Sequence, residues 1–185
     1  MSTLYQCSYA FVFEQGLYDG VCSIQNLKQQ GAFGLGTFDS LNGELIVLDG
    51  QCYQSTEAKH LNIADDEALV PWAAVTRFTD SSCTDELVAC ATFSELESKL
   101  LEKMDATRTP YAVHIQGKFN HITFRDVLKQ DKPYTKSIET IFEESPRQQV
   151  DNITADLVGF YTPEYMYPIK PKGLHLHGLS QDKTC

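Results

Sequence analysis

The segment Gly173-Leu174-His175-Leu176-His177-Gly178 offers a metal ion two imidazoles. In an extended strand successive side chains point to opposite faces, so His175 and His177 share one face while Leu174 and Leu176 share the other. Two ring nitrogens can then meet one ion. A catalytic zinc usually takes three protein ligands and keeps one position open for water or substrate, so the pair alone is an incomplete site. The same pattern also describes two ordinary strand histidines. Glu44, in Asn42-Gly43-Glu44-Leu45, is a solvated carboxylate if it stands alone and a ligand or proton carrier if it stands beside a metal. Arg125 is either a surface cation or a planar fork for a substrate carboxylate. His60, His114 and His121 have no ligand-like spacing to the pair and read as structural or exposed. Gly34-Leu35-Gly36-Thr37-Phe38 lacks the third glycine of a dinucleotide fingerprint and the Gly-Lys-Ser/Thr of a P-loop, which excludes nucleotide binding there. No Ser-His-Asp elbow or Cys-His nucleophile signature is present.

The elements that must hold these residues are legible from turns and caps. Ser23 caps a short helix over Ile24 to Gln30, with Gly31 placed to end it in a left-handed conformation. Glu44 to Leu48 and Gln51 to Ser55 flank Asp49-Gly50, a type I′ hairpin signal that puts Glu44 at the start of a strand. Thr92-Phe93-Ser94-Glu95 reads as a capping box for a helix running to about Met104, with Leu96, Leu100 and Leu101 toward the core. Tyr111 to Gln116 and Phe119 to Arg125 read as a second hairpin about Gly117-Lys118, with His121, Thr123 and Arg125 on one face. A helix from Ser137 to Glu144, a strand around Leu157 to Tyr161 and the His-Leu-His strand complete an α+β pattern.

With 185 residues and 42% hydrophobic composition the chain has material for a proper core in one domain or two small ones. A formal charge of −10 argues against nucleic acid and against anionic membrane as partners. No charged-then-apolar leader and no apolar run of about eighteen residues is present, so the cytoplasm is the expected location. Six cysteines, Cys7, Cys22, Cys52, Cys83, Cys90 and Cys185, form no C-x-x-C and fit buried or incidental thiols in a reducing compartment.

Taken together, Leu4-Tyr5-Gln6, Gly16-Leu17-Tyr18-Asp19-Gly20, Gly34-Leu35-Gly36-Thr37-Phe38, Leu41 through Gly50 and Tyr53-Gln54 resemble, in order, the pattern of α-acetolactate decarboxylases. The resemblance continues through Gly117-Lys118-Phe119, Arg125, Gln130 to Pro133-Tyr134, Leu157-Val158-Gly159-Phe160, Thr162-Pro163-Glu164 and Gly173 to His177, so it covers the chain as one unit, residues 1–185. It implies an α+β fold with mixed β-sheets and a few helices, a two-part architecture joined across a homodimer, and zinc-dependent conversion of 2-acetolactate to acetoin and carbon dioxide. A metal ion in the role of electron sink removes the need for an organic cofactor. By the same resemblance His175 and His177 are zinc ligands, Glu44 is the active-site glutamate that relays protons, Arg125 holds the substrate carboxylate or steers protonation, and Thr37 belongs to the pocket.

The resemblance also implies a third zinc-ligand histidine within a Gly-Gly-His, and a second glutamate, both beyond Cys185. On that reading the C-terminal strands are missing, the zinc site is weakened and open strand edges favour aggregation. Gly178 stands where relatives carry an aromatic residue, and Ala155-Asp156 where they carry Gly-Thr, which implies looser packing at the metal. The alternatives are a catalytically incomplete, non-enzymatic relative or partner subunit, and a site completed by the thiolate of Cys185.

Overall fold

The structure is a computed structural model that describes residues 3–56, 60–78, 86, 89–167 and 169–184. Cys83 and Cys185, with the thiolate alternative, lie outside the described residues. The α+β class is what forms, and the sheets, expected as mixed, pair antiparallel throughout among the described residues. No described helix is long and apolar enough to cross a membrane.

The first half builds a six-stranded sheet from β1 (Leu4–Cys7), β3 (Phe33–Thr37), β4 (Glu44–Leu48), β5 (Gln51–Thr56), β6 (His60–Ile63) and β8 (Trp72–Thr76), in the order β1-β8-β3-β4-β5-β6. The short β2 (Cys22–Ser23) and β7 (Leu69–Val70) pair beside it. Asp49 and Gly50 both take positive φ, 52° and 77°, as the type I′ turn between β4 and β5 requires. Helix α1 (Phe11–Glu14) is a single turn, while α2 (Ile24–Gln30) forms where its cap predicts, Ser23 Oγ accepting from the Asn26 amide at 3.3 Å. Gly31 does not end α2 in a left-handed conformation: its φ and ψ are −166° and 159°. The glycine serves close approach instead, since a Cβ there would stand 2.6 Å from the Thr76 amide nitrogen.

The second half contributes β9 (Tyr111–Arg125), β10 (Arg147–Thr162) and β11 (Gly173–Ser180), in the order β11-β10-β9. The hairpin expected about Gly117-Lys118 does not form. Those residues sit inside a continuous 15-residue strand, paired with Ala155 and Thr154. The dipeptide lacks the positive-φ backbone of a two-residue turn, and β10 is long enough to satisfy the whole of β9. The turn is made instead by Asp126 to Pro146, which carries the helix expected there, α4 (Ile138–Glu144), with Ser137 as its cap, its Oγ accepting from the Thr140 amide. Helix α3 (Phe93–Leu101) starts at the Thr92 cap and stops short of Met104; Leu96 is buried, Leu100 and Leu101 half so.

Alternation decides what meets what. Leu45, Val47, Ala73 and Val75 face α2 and its Ile24 and Leu27. The opposite face of the same strands sends Phe33, Ile46 and Leu48 onto Val158 and Leu179 of the three-stranded sheet, and Leu35 and Trp72 onto Phe160. Glu44, in phase with Ile46, therefore points at the second sheet, toward the strand that carries the histidines. Beyond the end of β11 the β9-β10 ribbon continues as two strands, from Arg125 opposite Arg147 to Lys118 opposite Thr154. It curls back until the Phe124 ring lies over Gly178.

Gly159 is the most closely approached glycine of the second sheet, because a Cβ there would fall 1.9 Å from the His175 carbonyl oxygen. Gly159→Ala is expected to cost about 1–3 kcal/mol in urea unfolding, the usual range for overpacking. Gly117→Ala, where a Cβ meets only the Phe119 ring at 3.7 Å, is expected to be neutral or to stabilise by up to about 1 kcal/mol.

Candidate active site

Five positions singled out in the sequence, Thr37, Glu44, Arg125, His175 and His177, border one narrow cavity between the sheets, about 240 Å³ in volume. Glu44, Arg125 and both histidines also border a wider cavity of about 700 Å³ on the other side. The site is thus a wall of four functional side chains with space on two sides. The apolar end of the narrow cavity is formed by Phe13, Leu41, Trp72, Val127 and Phe142.

His175 pairs with Phe160 and His177 with Val158 in β11-β10 register, so both rings project into the inter-sheet space. Their Nε2 atoms stand 3.2 Å apart. Two nitrogens each about 2.0–2.1 Å from one tetrahedral zinc stand about 3.3–3.4 Å apart, so the spacing fits a shared ion. His177 Nδ1 lies 2.9 Å from the Leu45 carbonyl oxygen and donates to it, which leaves Nε2 as the lone-pair nitrogen. Trp72 stacks on the His175 ring with centroids 6.2 Å apart and planes 10° apart, while His175 Nδ1 is buried with no partner among the described residues. Burial first, then the positive charges His177, Lys170 and Arg125 would present, push His175 down to about 3. Burial likewise pushes His177 down to about 4, against the Leu45 carbonyl. Neutral imidazole is the form that binds metal.

Glu44 Oε2 is 3.6 Å from His177 Nε2. Burial and then the charge of Asp126 push this carboxyl up to about 8, opposed by the Arg125 guanidinium and the Val127 amide, which donates to it. Asp126 is raised by its own burial, against a hydrogen bond from Ser55 Oγ at 3.3 Å. Thr37 is the cross-strand partner of Glu44, and its hydroxyl donates to the Gly43 carbonyl at 2.7 Å, holding the turn that delivers Glu44. Arg125 lies over the Phe142 ring, its Cζ 4.3 Å from the centroid. Among the described residues no group of three or more His, Cys, Asp and Glu is arranged to hold a metal ion. The pair fits two positions of a zinc and supplies no more.

Two of the other histidines behave as expected, His121 being exposed and His114 Nε2 lying 2.9 Å from Asp156 Oδ1, while the side chain of His60 lies outside the described residues. Burial would raise the Asp156 carboxyl, but hydrogen bonds from Gln116, His114 and Lys183 outweigh it and hold it below its ordinary value. Gly178 does not loosen the site, because Phe124 fills the space a side chain would take. Cys7, Cys22, Cys52 and Cys90 form no disulfide among the described residues. Sequence reasoning missed Leu45, whose contribution is a carbonyl, and Val127, whose contribution is an amide. It also missed Asp126, although adjacency to Arg125 was a usable signal.

The chain matches the profile of the alpha-acetolactate decarboxylase family over residues 4–185. It belongs to that family. It is 36% identical to the alpha-acetolactate decarboxylase of Methanosarcina mazei over 98% of this chain and 62% of that protein. Against the Brevibacillus brevis enzyme of the same name the identity is 31%, over 99% and 64%. The chain thus spans less than two thirds of the length of these two relatives. The crystal structure of the alpha-acetolactate decarboxylase of Bacillus subtilis superposes with a TM-score of 0.93 at 30% identity, covering 98% of this chain and 77% of that one. A Staphylococcus aureus protein of unknown function, described as similar to alpha-acetolactate decarboxylase, gives 0.89 at 28% identity.

One residue beside the site had no signal in the sequence. Lys170 is 1% exposed, its Nζ sits 3.4 Å from the Phe160 ring centroid, and it has no hydrogen-bond partner among the described residues. Burial pushes the amine down to about 7. Between there and its ordinary value near 10.5 the unfolded chain holds a proton that the native chain has released, so this residue makes stability rise with pH across that window. Lys170→Met is therefore expected to melt above the native protein below pH 7, with the advantage shrinking as pH approaches 10. Parallel thermal melts across pH 6–10 check this.

Proposed function

We propose that this chain carries the decarboxylation of 2-acetolactate to acetoin and carbon dioxide, with zinc held by His175 and His177. The observation that supports it most directly is the convergence of two neutral imidazoles, Nε2 to Nε2 3.2 Å, beside Glu44 in a member of this family. Zinc held by the two histidines would supply the Lewis acidity that stabilises the electrons left behind by the departing carboxylate, the electron-sink role that thiamine or pyridoxal serves elsewhere.

The protein's own groups account for the rest. Arg125 offers a fork of donors to the substrate carboxylate and fixes which bond lies ready to break. The carbon–carbon bond to the carboxylate cleaves, carbon dioxide leaves, and the electron pair spreads onto the neighbouring ketone. Glu44, whose carboxyl is raised enough to hold a proton near neutral pH, delivers that proton to the carbon that lost the carboxylate. The proton count closes with acetoin. Thr37 keeps the Glu44 turn in place through its bond to Gly43.

The same reading makes the protein a cytoplasmic homodimer, for which Val21 and Leu69, both exposed at the β2-β7 pair, supply apolar surface.

Acetoin formation from racemic 2-acetolactate, with and without added zinc, tests the proposal. Zinc-dependent turnover is expected, with Glu44→Gln and Arg125→Ala each lowering kcat/KM by about 10²-fold or more, the scale of a proton-transfer or positioning group. Turnover no faster than the spontaneous reaction, from folded protein, would leave the family membership as ancestry and favour a non-enzymatic subunit.

A further inference from the structure

Arg125 has an unexplained neighbour. Arg147, the first residue of β10, is its direct partner in the β9-β10 ladder, so the two guanidinium-bearing side chains leave the same face of the ribbon. Like charges directly opposite one another are unfavourable. Neither arginine makes an ion pair among the described residues. Both border the wide cavity with Thr123, Glu44 and the histidine pair. The setting sharpens the point. With 25 acidic against 15 basic side chains the chain as a whole repels anions, and Glu44 and Asp126 line the same cavity. Two guanidinium forks with no ion pair among the described residues form the local exception, although Arg125 also bears on the Glu44 carboxyl, and planar forks match the two oxygens of a carboxylate.

We propose that Arg147 is the second arm of a carboxylate clamp, acting with Arg125 to draw small 2-hydroxy carboxylates into the wide cavity. Where that carboxylate is the substrate's, the inference rests on the decarboxylase reading above. Arg147 is a binding and specificity residue: it stands at the outer end of the ribbon, and its contact with the anion is made alike before and during reaction. Its loss therefore raises KM and leaves kcat in place.

The test uses two non-reacting probes on the full chain, by calorimetric or NMR titration. One is 2-hydroxyisobutyrate, which has the hydroxyl and carboxylate but no ketone; the other is neutral 3-hydroxy-3-methylbutan-2-one, which has the hydroxyl and ketone but no carboxylate. Arg147→Gln is expected to weaken the acid about tenfold, the scale of one charge-assisted hydrogen bond, and to leave the neutral ketol unchanged. Arg147→Lys should recover part of the loss, and with 2-acetolactate the Gln variant should raise KM by a similar factor at constant kcat. The fall of kcat/KM with added salt should also flatten in that variant. Acid affinity unchanged by Arg147→Gln, equal losses for acid and ketol, or no acid binding to the native chain would each overturn the clamp. Arg147-dependent acid binding without turnover would sink the decarboxylase reading and keep the clamp, whereas turnover indifferent to Arg147 would do the reverse.

Discussion

The site is organised by the hydrogen bond that His177 Nδ1 donates to the carbonyl of Leu45, 132 positions away in the chain. It fixes the orientation of the ring and selects the tautomer that leaves Nε2 free. Because Leu45 follows Glu44 on β4, the same bond sets the carboxylate beside the imidazole. Among the described residues it is the hydrogen bond that joins the histidine strand to the glutamate strand, and the packing of Ile46 and Leu48 with Leu179 holds the same two strands together.

The rest of the architecture serves this contact. Phe33, Ile46, Leu48, Val158 and Leu179 pack the sheets together on one side of it, and Leu35, Trp72 and Phe160 on the other. That apolar flank is why both imidazoles are neutral and why the Glu44 carboxyl keeps its proton more readily than an exposed one. The curled β9-β10 ribbon closes the remaining side, bringing Arg125, Asp126 and the Val127 amide to the carboxyl from a part of the chain distant in sequence. A second, independent polar knot, Asp156 with His114, Gln116 and Lys183, ties the middle of β10 beside the end of β11 and commits His114 to structure.

Local chemistry was legible in the sequence wherever it was sufficient. Asp49-Gly50 forms its turn, Ser23 and Thr92 cap their helices, and the His-x-His alternation puts both rings on one face, all from interactions within a few residues. Gly117-Lys118 misled because a glycine between two apolar runs signals a turn only when no long partner strand claims it, and β10 claims it. Gly31 misled in the same way, since its role is set by Thr76 across the sheet. The backbone groups of Leu45 and Val127 were invisible because every residue carries them, and Lys170 because a buried lysine without a partner runs against expectation. Residue types announced the chemistry; the distances between them came from tertiary packing.

The claim that His175 and His177 share one metal through their Nε2 atoms is tested most directly by long-range ¹H–¹⁵N NMR of the histidine rings during a zinc titration. The account predicts saturation at one zinc per chain, with Nε2 of both residues shifting as metal-bound nitrogens and His177 Nδ1 keeping its proton toward Leu45. Shifts at only one of the two rings, at Nδ1 in place of Nε2, or at His114 or His121 instead, would contradict it.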